Sequence, residues 1–195
     1  MLDPVPGEPT DAPHRDGHLF SDPALGPMVR SQDEIARRVR ELGAQITRDY
    51  ADHPPLLICI LKGAFVFLAD LVREIRLPLE VDFMAVSSYG ASTKSSGVVR
   101  IVKDLDIELQ DRHVLLVEDI VDSGLTLNYL ARNLLARKPA DFRVCALFVR
   151  QGNQKTAIDL SYVGFEIPPS FVLGYGLDVA ERFRNLPYVC EHAGS

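Results

Sequence analysis

The sequence predicts an α/β protein: a mostly parallel, twisted sheet flanked by helices, with a smaller lobe at its edge. Two observations predict it. Apolar runs of strand length recur at Leu56 to Leu61, His113 to Val117 and Arg143 to Val149, and such continuous runs mark strands buried on both faces. Helical patterns separate them, at Ala64 to Arg73 and Gly124 to Arg137, and that alternation builds parallel sheets with covering helices.

Along the chain, residues 1–20 carry Pro4, Pro6, Pro9 and Pro13 among Asp, Gly and Glu. That composition buries too little apolar area to offset ordering, so a flexible tail is expected, followed by a single domain over residues 21–195. Ser31-Gln32-Asp33-Glu34 is a capping box, and Ile35, Val39, Leu42 and Ile46 follow at helical spacing, so a helix is predicted from Gln32 to Tyr50. Lys62-Gly63 makes a tight turn after the first apolar run. Val81 to Val86 alternates as a strand, and Tyr89 to Gly97 is small and polar, the composition of a mobile loop. Val98 to Val102 is the strand expected to return from it. Leu127, Leu130 and Leu134 form one stripe of the third helix, and beyond Arg150 the pattern breaks into short pieces rich in Gly, Pro and aromatics, which suits a small lobe.

Composition excludes several classes of function. With 195 residues, 47% hydrophobic and 25% charged, the chain describes a water-soluble globular protein with no run long enough to span a membrane. The net charge of −6, without clustered Lys and Arg, argues against nucleic acid as a partner. Residues 1–27 lack the pattern of a secretory signal or transit peptide, so the cytoplasm is the expected location. Cys59, Cys145 and Cys190 are widely spaced among apolar neighbours and are expected to be reduced, buried thiols.

Ligands of an open parallel sheet bind beyond the carboxyl ends of its strands. After His113 to Val117 come Glu118, Asp119, Ile120, Val121, Asp122, Ser123, Gly124, Leu125 and Thr126. Two adjacent carboxylates repel unless a cation or hydroxyl donors sit between them, and a sugar diol with magnesium meets that need. Asp122 to Thr126 then turns into a helix, so backbone N–H groups and two hydroxyls converge at the positive end of the helix dipole, a phosphate cradle without a Walker lysine. Residue types alone suit any sugar-phosphate enzyme.

Val-Leu-Leu-Val-Glu-Asp-Ile-Val-Asp-Ser-Gly-Leu-Thr-Leu, residues 114–127, resembles the phosphoribosyl pyrophosphate (PRPP) signature of the type I phosphoribosyltransferases. From Ser31 to Cys190 the chain resembles the hypoxanthine-guanine phosphoribosyltransferase family in motif order and spacing. That resemblance implies the type I phosphoribosyltransferase fold, Mg2+ as cofactor, PRPP and a 6-oxopurine base as substrates, and a homo-dimer or homo-tetramer. It implies that Lys62 and Gly63, beside a cis peptide, help to hold the pyrophosphate, and that Ser88 and Tyr89 open the loop that closes over the reaction. It implies a purine-binding hood over Val163 to Pro168 and Phe171 to Asp178, with Phe171 stacking on the base, Val172 meeting its edge through the backbone, Asp178 helping to hold a second magnesium, and Arg184 binding pyrophosphate. Glu118 and Asp119 are expected to hold the ribose hydroxyls and a metal, Ser123 to Thr126 the 5-phosphate, and Asp122 to act as the catalytic base. One departure stands out: where the family has a lysine after the strand ending at Val149, this chain has Arg150, expected to select the 6-oxo group.

Overall fold

A computed structural model describes residues 17–88, 99–152 and 159–194. Along the chain run β1 (Leu25–Arg30), α1 (Gln32–Asp49), β2 (Leu56–Leu61), α2 (Phe65–Glu74), β3 (Glu80–Ser88) and β4 (Val99–Lys103). Then follow β5 (His113–Val121), α3 (Leu125–Leu135), β6 (Asp141–Arg150), β7 (Tyr162–Ile167), β8 (Val172–Leu173) and β9 (Val189–His192). Six strands form one sheet in the order β4-β3-β2-β5-β6-β7, parallel except for β4, which pairs antiparallel with β3. The remaining three form a small antiparallel sheet, β1-β9-β8.

The capping box is present as predicted: Ser31 Oγ accepts from Glu34 N and the Glu34 carboxylate accepts from Ser31 N. Ile35, Val39, Leu42 and Ile46 are buried on the inner face of α1, each contributing about 1.5–3 kcal/mol of burial. The central strands are apolar on both sides because both sides are covered. Leu57, Cys59, Leu115 and Val117 pack with α1 and α2, while Leu56, Ile58, Val114 and Leu116 pack with α3. All three cysteines are free and buried, and burial pushes the thiols of Cys59 and Cys145 up to about 12.

Strand order locates the site. From β2 the chain moves outward to β3 and β4, whereas β5, β6 and β7 extend the other way. The reversal falls between β2 and β5, and crevices form at such switch points, beyond the carboxyl ends of the strands. Lys62 after β2, Glu118 to Asp122 on and after β5, and Arg150 ending β6 therefore come side by side.

Several expectations shift. β5 continues to Val121, because pairing with β6 persists through Glu118↔Ala146 and Val121↔Val149, so the paired acids lie within the strand rather than after it. Val163 to Ile167, expected in the hood, belongs to β7 at the edge of the large sheet. The small lobe also takes β1, which sequence periodicity did not reveal because its burial does not alternate. Of the expected tail, residues 1–16 lie outside the described residues. At residues 17–20 the chain already packs on the small lobe: His18 is buried, with Nε2 3.0 Å from the Gly26 carbonyl, and Leu19 N donates to the Tyr188 hydroxyl. The polar loop expected from Tyr89 also lies outside the described residues.

Candidate active site

Two adjoining cavities open at the switch point. One, of about 220 Å³, is lined by Glu118, Asp119, Asp122, Ser123, Gly124 and Thr126, with Ile60, Ile120, Val121 and Leu127. The other, of about 380 Å³, is lined by Lys62, Gly63, Asp119, Asp122, Arg150, Phe171, Val172, Asp178 and Arg184, with Ile120 and Leu177. Asp119, Ile120 and Asp122 belong to both and join them into one crevice.

In the first cavity the helix end is open to an anion. Gly124 caps α3 at φ 77°, the left-handed region that glycine enters without strain, and it has no side chain to satisfy the first-turn N–H groups. Ser123 Oγ accepts from Leu125 N at 3.4 Å, and Ser123, Gly124 and Thr126 line the cavity at this positive end of the helix. The Leu125 side chain points elsewhere, 39% exposed beside Tyr129 and Arg132, so only its backbone serves the turn.

Glu118 and Asp119 are consecutive strand residues and project to opposite faces of the sheet. Glu118 follows Leu116 toward α3, and Asp119 follows Val117 toward Gly63. Glu118 is buried, and Asp119 is half-buried where the two cavities meet. Burial, with Asp119 next to it, pushes the Glu118 carboxyl well above the carboxylate range. Burial likewise raises Asp119 to about 6, against the opposing pull of the Ile120 N–H, its own backbone N–H and Arg184. Gly63 must be glycine here: a Cβ would meet Asp119 Oδ2 at 1.6 Å. The Leu61–Lys62 peptide is cis, as the resemblance implied.

In the second cavity, Arg184 Nη2 contacts Asp178 Oδ1 at 2.8 Å and Nη1 donates to the Gly176 carbonyl. Arg150 is buried; its Nη1 donates to the carbonyls of Pro169 and Ser170, and its Nε lies 3.4 Å from Asp122 Oδ1. The segment those carbonyls belong to carries Phe171, whose ring is 48% exposed and meets His192 edge-on at 5.9 Å. Tyr175 Oη donates to Asp70 Oδ2 at 2.6 Å, tying the small lobe to α2.

Nearly every residue singled out in the sequence therefore reaches one crevice. Ser88 ends β3, and Tyr89 lies outside the described residues. Sequence reading did not single out the apolar lining residues Ile60, Ile120, Val121, Leu127 and Leu177, nor Glu181, which pairs with Lys62 and Arg184. Ile120 sits inside the phosphoribosyl pyrophosphate motif and Leu177 inside the quoted hood segment, so both had a sequence signal that Glu181 lacked.

A mostly parallel α/β sheet with a carboxylate pair and a hydroxyl-bearing helix turn at its switch point marks the class, an enzyme that grips a sugar phosphate. The Phosphoribosyl transferase domain family matches residues 28–180, and the chain belongs to that family. The chain is thus a phosphoribosyltransferase enzyme. It is 52% identical over 159 residues to the hypoxanthine-guanine phosphoribosyltransferase of Bacillus subtilis, covering 82% of this chain and 88% of that one. With the enzyme of the same name from Mycobacterium tuberculosis it shares 52% identity over 168 residues, 83% of each. Among solved structures, a hypoxanthine-guanine phosphoribosyltransferase from Bacillus anthracis superposes with a TM-score of 0.82 at 40% identity, covering 86% of this chain and 98% of that one. A hypoxanthine phosphoribosyltransferase from Staphylococcus aureus gives 0.83 at 40%, covering 87% and 92%.

Proposed function

We infer that this enzyme transfers the 5-phosphoribosyl group of PRPP to N9 of hypoxanthine or guanine, releasing pyrophosphate and forming IMP or GMP. The observation that carries this reading is the crevice itself, with an anion cradle at one end, Lys62 and Arg184 at another, and an exposed aromatic beside a carboxylate between them.

Ser123, Thr126 and the first turn of α3 hold the 5-phosphate, while Glu118 and Asp119 accept from the ribose hydroxyls. Lys62 and Arg184 take the pyrophosphate. Phe171 offers its ring to the purine, with the Val172 backbone at its edge. Arg150, in the place of a family lysine, selects the 6-oxo group: a guanidinium meets an oxo acceptor and leaves the amino group of adenine facing a donor. As the C1 to pyrophosphate bond breaks, the ribose passes through an oxocarbenium-like state. N9 attacks C1, and the N7 proton of the base passes to Asp122.

Magnesium fits the residues present. Five carboxylates, Glu118, Asp119, Asp122, Asp178 and Glu181, face only three cations, Lys62, Arg150 and Arg184, and a triply phosphorylated substrate adds more negative charge. Burial raises the Glu118 and Asp119 carboxyls, and a hard cation beside them would favour their charged forms. Among the described residues no group of three or more His, Cys, Asp or Glu stands ready to hold a metal ion, so waters and substrate oxygens would have to supply most of its ligands. Glu118 and Asp119 would serve one ion and Asp178 a second, and when bound these would supply charge neutralisation at the departing pyrophosphate.

Incubation with PRPP, magnesium and each of hypoxanthine, guanine, adenine, uracil and orotate in turn tests the reading. IMP and GMP are expected; turnover of adenine or a pyrimidine in their place overturns it. The same reading carries a cytoplasmic location and a homo-dimer or homo-tetramer, the latter checked by light scattering. No helix among the described residues is long and apolar enough to cross a membrane.

A further inference from the structure

The turn after Asp178 returns an acid to the cation end of the crevice. Ala180 and Glu181 both have positive φ, 51° and 64°, a region that few residues with a Cβ occupy. Val179 and Arg182 bridge across the turn, and Glu181 N donates to Asp178 Oδ2 at 2.8 Å. The result is a carboxylate aimed back at the site. Glu181 Oε2 lies 3.0 Å from Lys62 Nζ and 3.3 Å from Arg184 Nη2. A single oxygen is shared by two cations from segments far apart in the chain, as a phosphate oxygen is when two cations bind it. The cations in turn hold the Glu181 carboxyl below its ordinary range, Lys62 more than Arg184.

Resting on the pyrophosphate roles of Lys62 and Arg184 given above, we propose that Glu181 is an internal counter-anion of the pyrophosphate subsite. It occupies both cations in the empty enzyme and yields them to the incoming diphosphate. Its exposure suits that exchange: the Lys62 and Glu181 side chains are 66% and 65% exposed, so the contact is weak, screened and readily broken. Arg184 keeps its place when Glu181 leaves, because Asp178 and the Gly176 carbonyl still hold its guanidinium. Every diphosphate that binds must displace Glu181, and every one that departs is helped out by its return.

The test is the affinity of inorganic pyrophosphate in magnesium buffer, measured by calorimetry on the full chain without base or turnover. Glu181→Gln removes the charge, and Glu181→Asp keeps the charge but shortens the reach. Both should bind pyrophosphate about threefold more tightly than the parent, a modest gain because the displaced pair is exposed. In a Lys62→Met background the gain should shrink, since half of the contact is already gone. Parent-like affinity in both Glu181 variants overturns the proposal, and so does a gain that persists in full without Lys62, which reports only a general field. Tight binding in Glu181→Asp alone, with Glu181→Gln like the parent, also overturns it, because removing the anion would then free neither cation. If the parent binds no pyrophosphate at all, the roles given to Lys62 and Arg184 fall first, and the proposal falls with them.

Discussion

The sugar-phosphate side of the crevice and its base and pyrophosphate side are built by different routes. Glu118 to Thr126 is one uninterrupted stretch: a strand held by pairing to β6, a turn through Gly124, and the first turn of α3. Its internal geometry is set by local backbone preferences, so its spacing in sequence is close to its spacing in space. The other side gathers Lys62 from the end of β2, Arg150 from the end of β6, Phe171 and Val172 from the start of the small lobe, and Asp178 and Arg184 from its turn. Nothing local holds these together. They depend on strand order, on the Arg150 guanidinium clasping the Pro169 and Ser170 carbonyls, and on Tyr175 tied to Asp70. A contiguous site tolerates change elsewhere in the fold, whereas an assembled one is sensitive to each clasp.

That contrast is open to test, and metal removal should have the largest effect because both sides depend on charge balance. Turnover should disappear in excess EDTA and return with magnesium; full turnover in chelator breaks the charge account for both sides at once. Asp122, shared by the two cavities, comes next. Asp122→Asn should lower kcat by roughly 10²-fold or more with little change in nucleotide affinity, because a proton acceptor acts mainly in the transition state. An unaltered kcat would reduce Asp122 to a part of the phosphate turn.

Arg150→Ala probes the assembled side alone. Two carbonyls lose their donor and the 6-oxo group loses its partner, so the free energy of binding 6-oxopurines should weaken by about 1–3 kcal/mol, with KM for PRPP little changed. KM values for hypoxanthine and guanine within twofold of the parent would show that this arginine is neither selector nor clasp. The smallest effect is expected at Phe171. Phe171→Leu keeps apolar contact but loses the ring, which is worth about 0.5–1.5 kcal/mol and should raise KM for the base a few-fold with kcat retained. A fall in PRPP affinity instead would erase the distinction between the two sides.

Much of the molecule was legible before any coordinates. The capping box at Ser31, the apolar runs of β2, β5 and β6 and the leucine stripe of α3 rest on local rules of hydrogen bonding and periodicity, and they appear where those rules put them. The acid pair and hydroxyl turn were readable because their chemistry is contiguous. Resemblance, rather than periodicity, brought in Lys62, Phe171, Asp178 and Arg184, since singly each has an ordinary structural explanation. Other features had no sequence signal. β1 joins the small lobe through pairing with β9, far along the chain, and Val163 to Ile167 goes to the large sheet because β6 offers it a parallel edge.

By itself, then, the sequence determined the class of fold, the helices and buried strands, and the sugar-phosphate motif, because these follow from neighbours within a few residues. Only the tertiary structure decided that pairing with β6 carries β5 on through Glu118 and Asp119, that Gly63 must yield room to Asp119, that Arg150 clasps the segment bearing Phe171, and that Glu181 sits between Lys62 and Arg184. Each of these is a contact between distant parts of the chain, set by strand order and by the turns that aim one side chain at another, and no local preference encodes it.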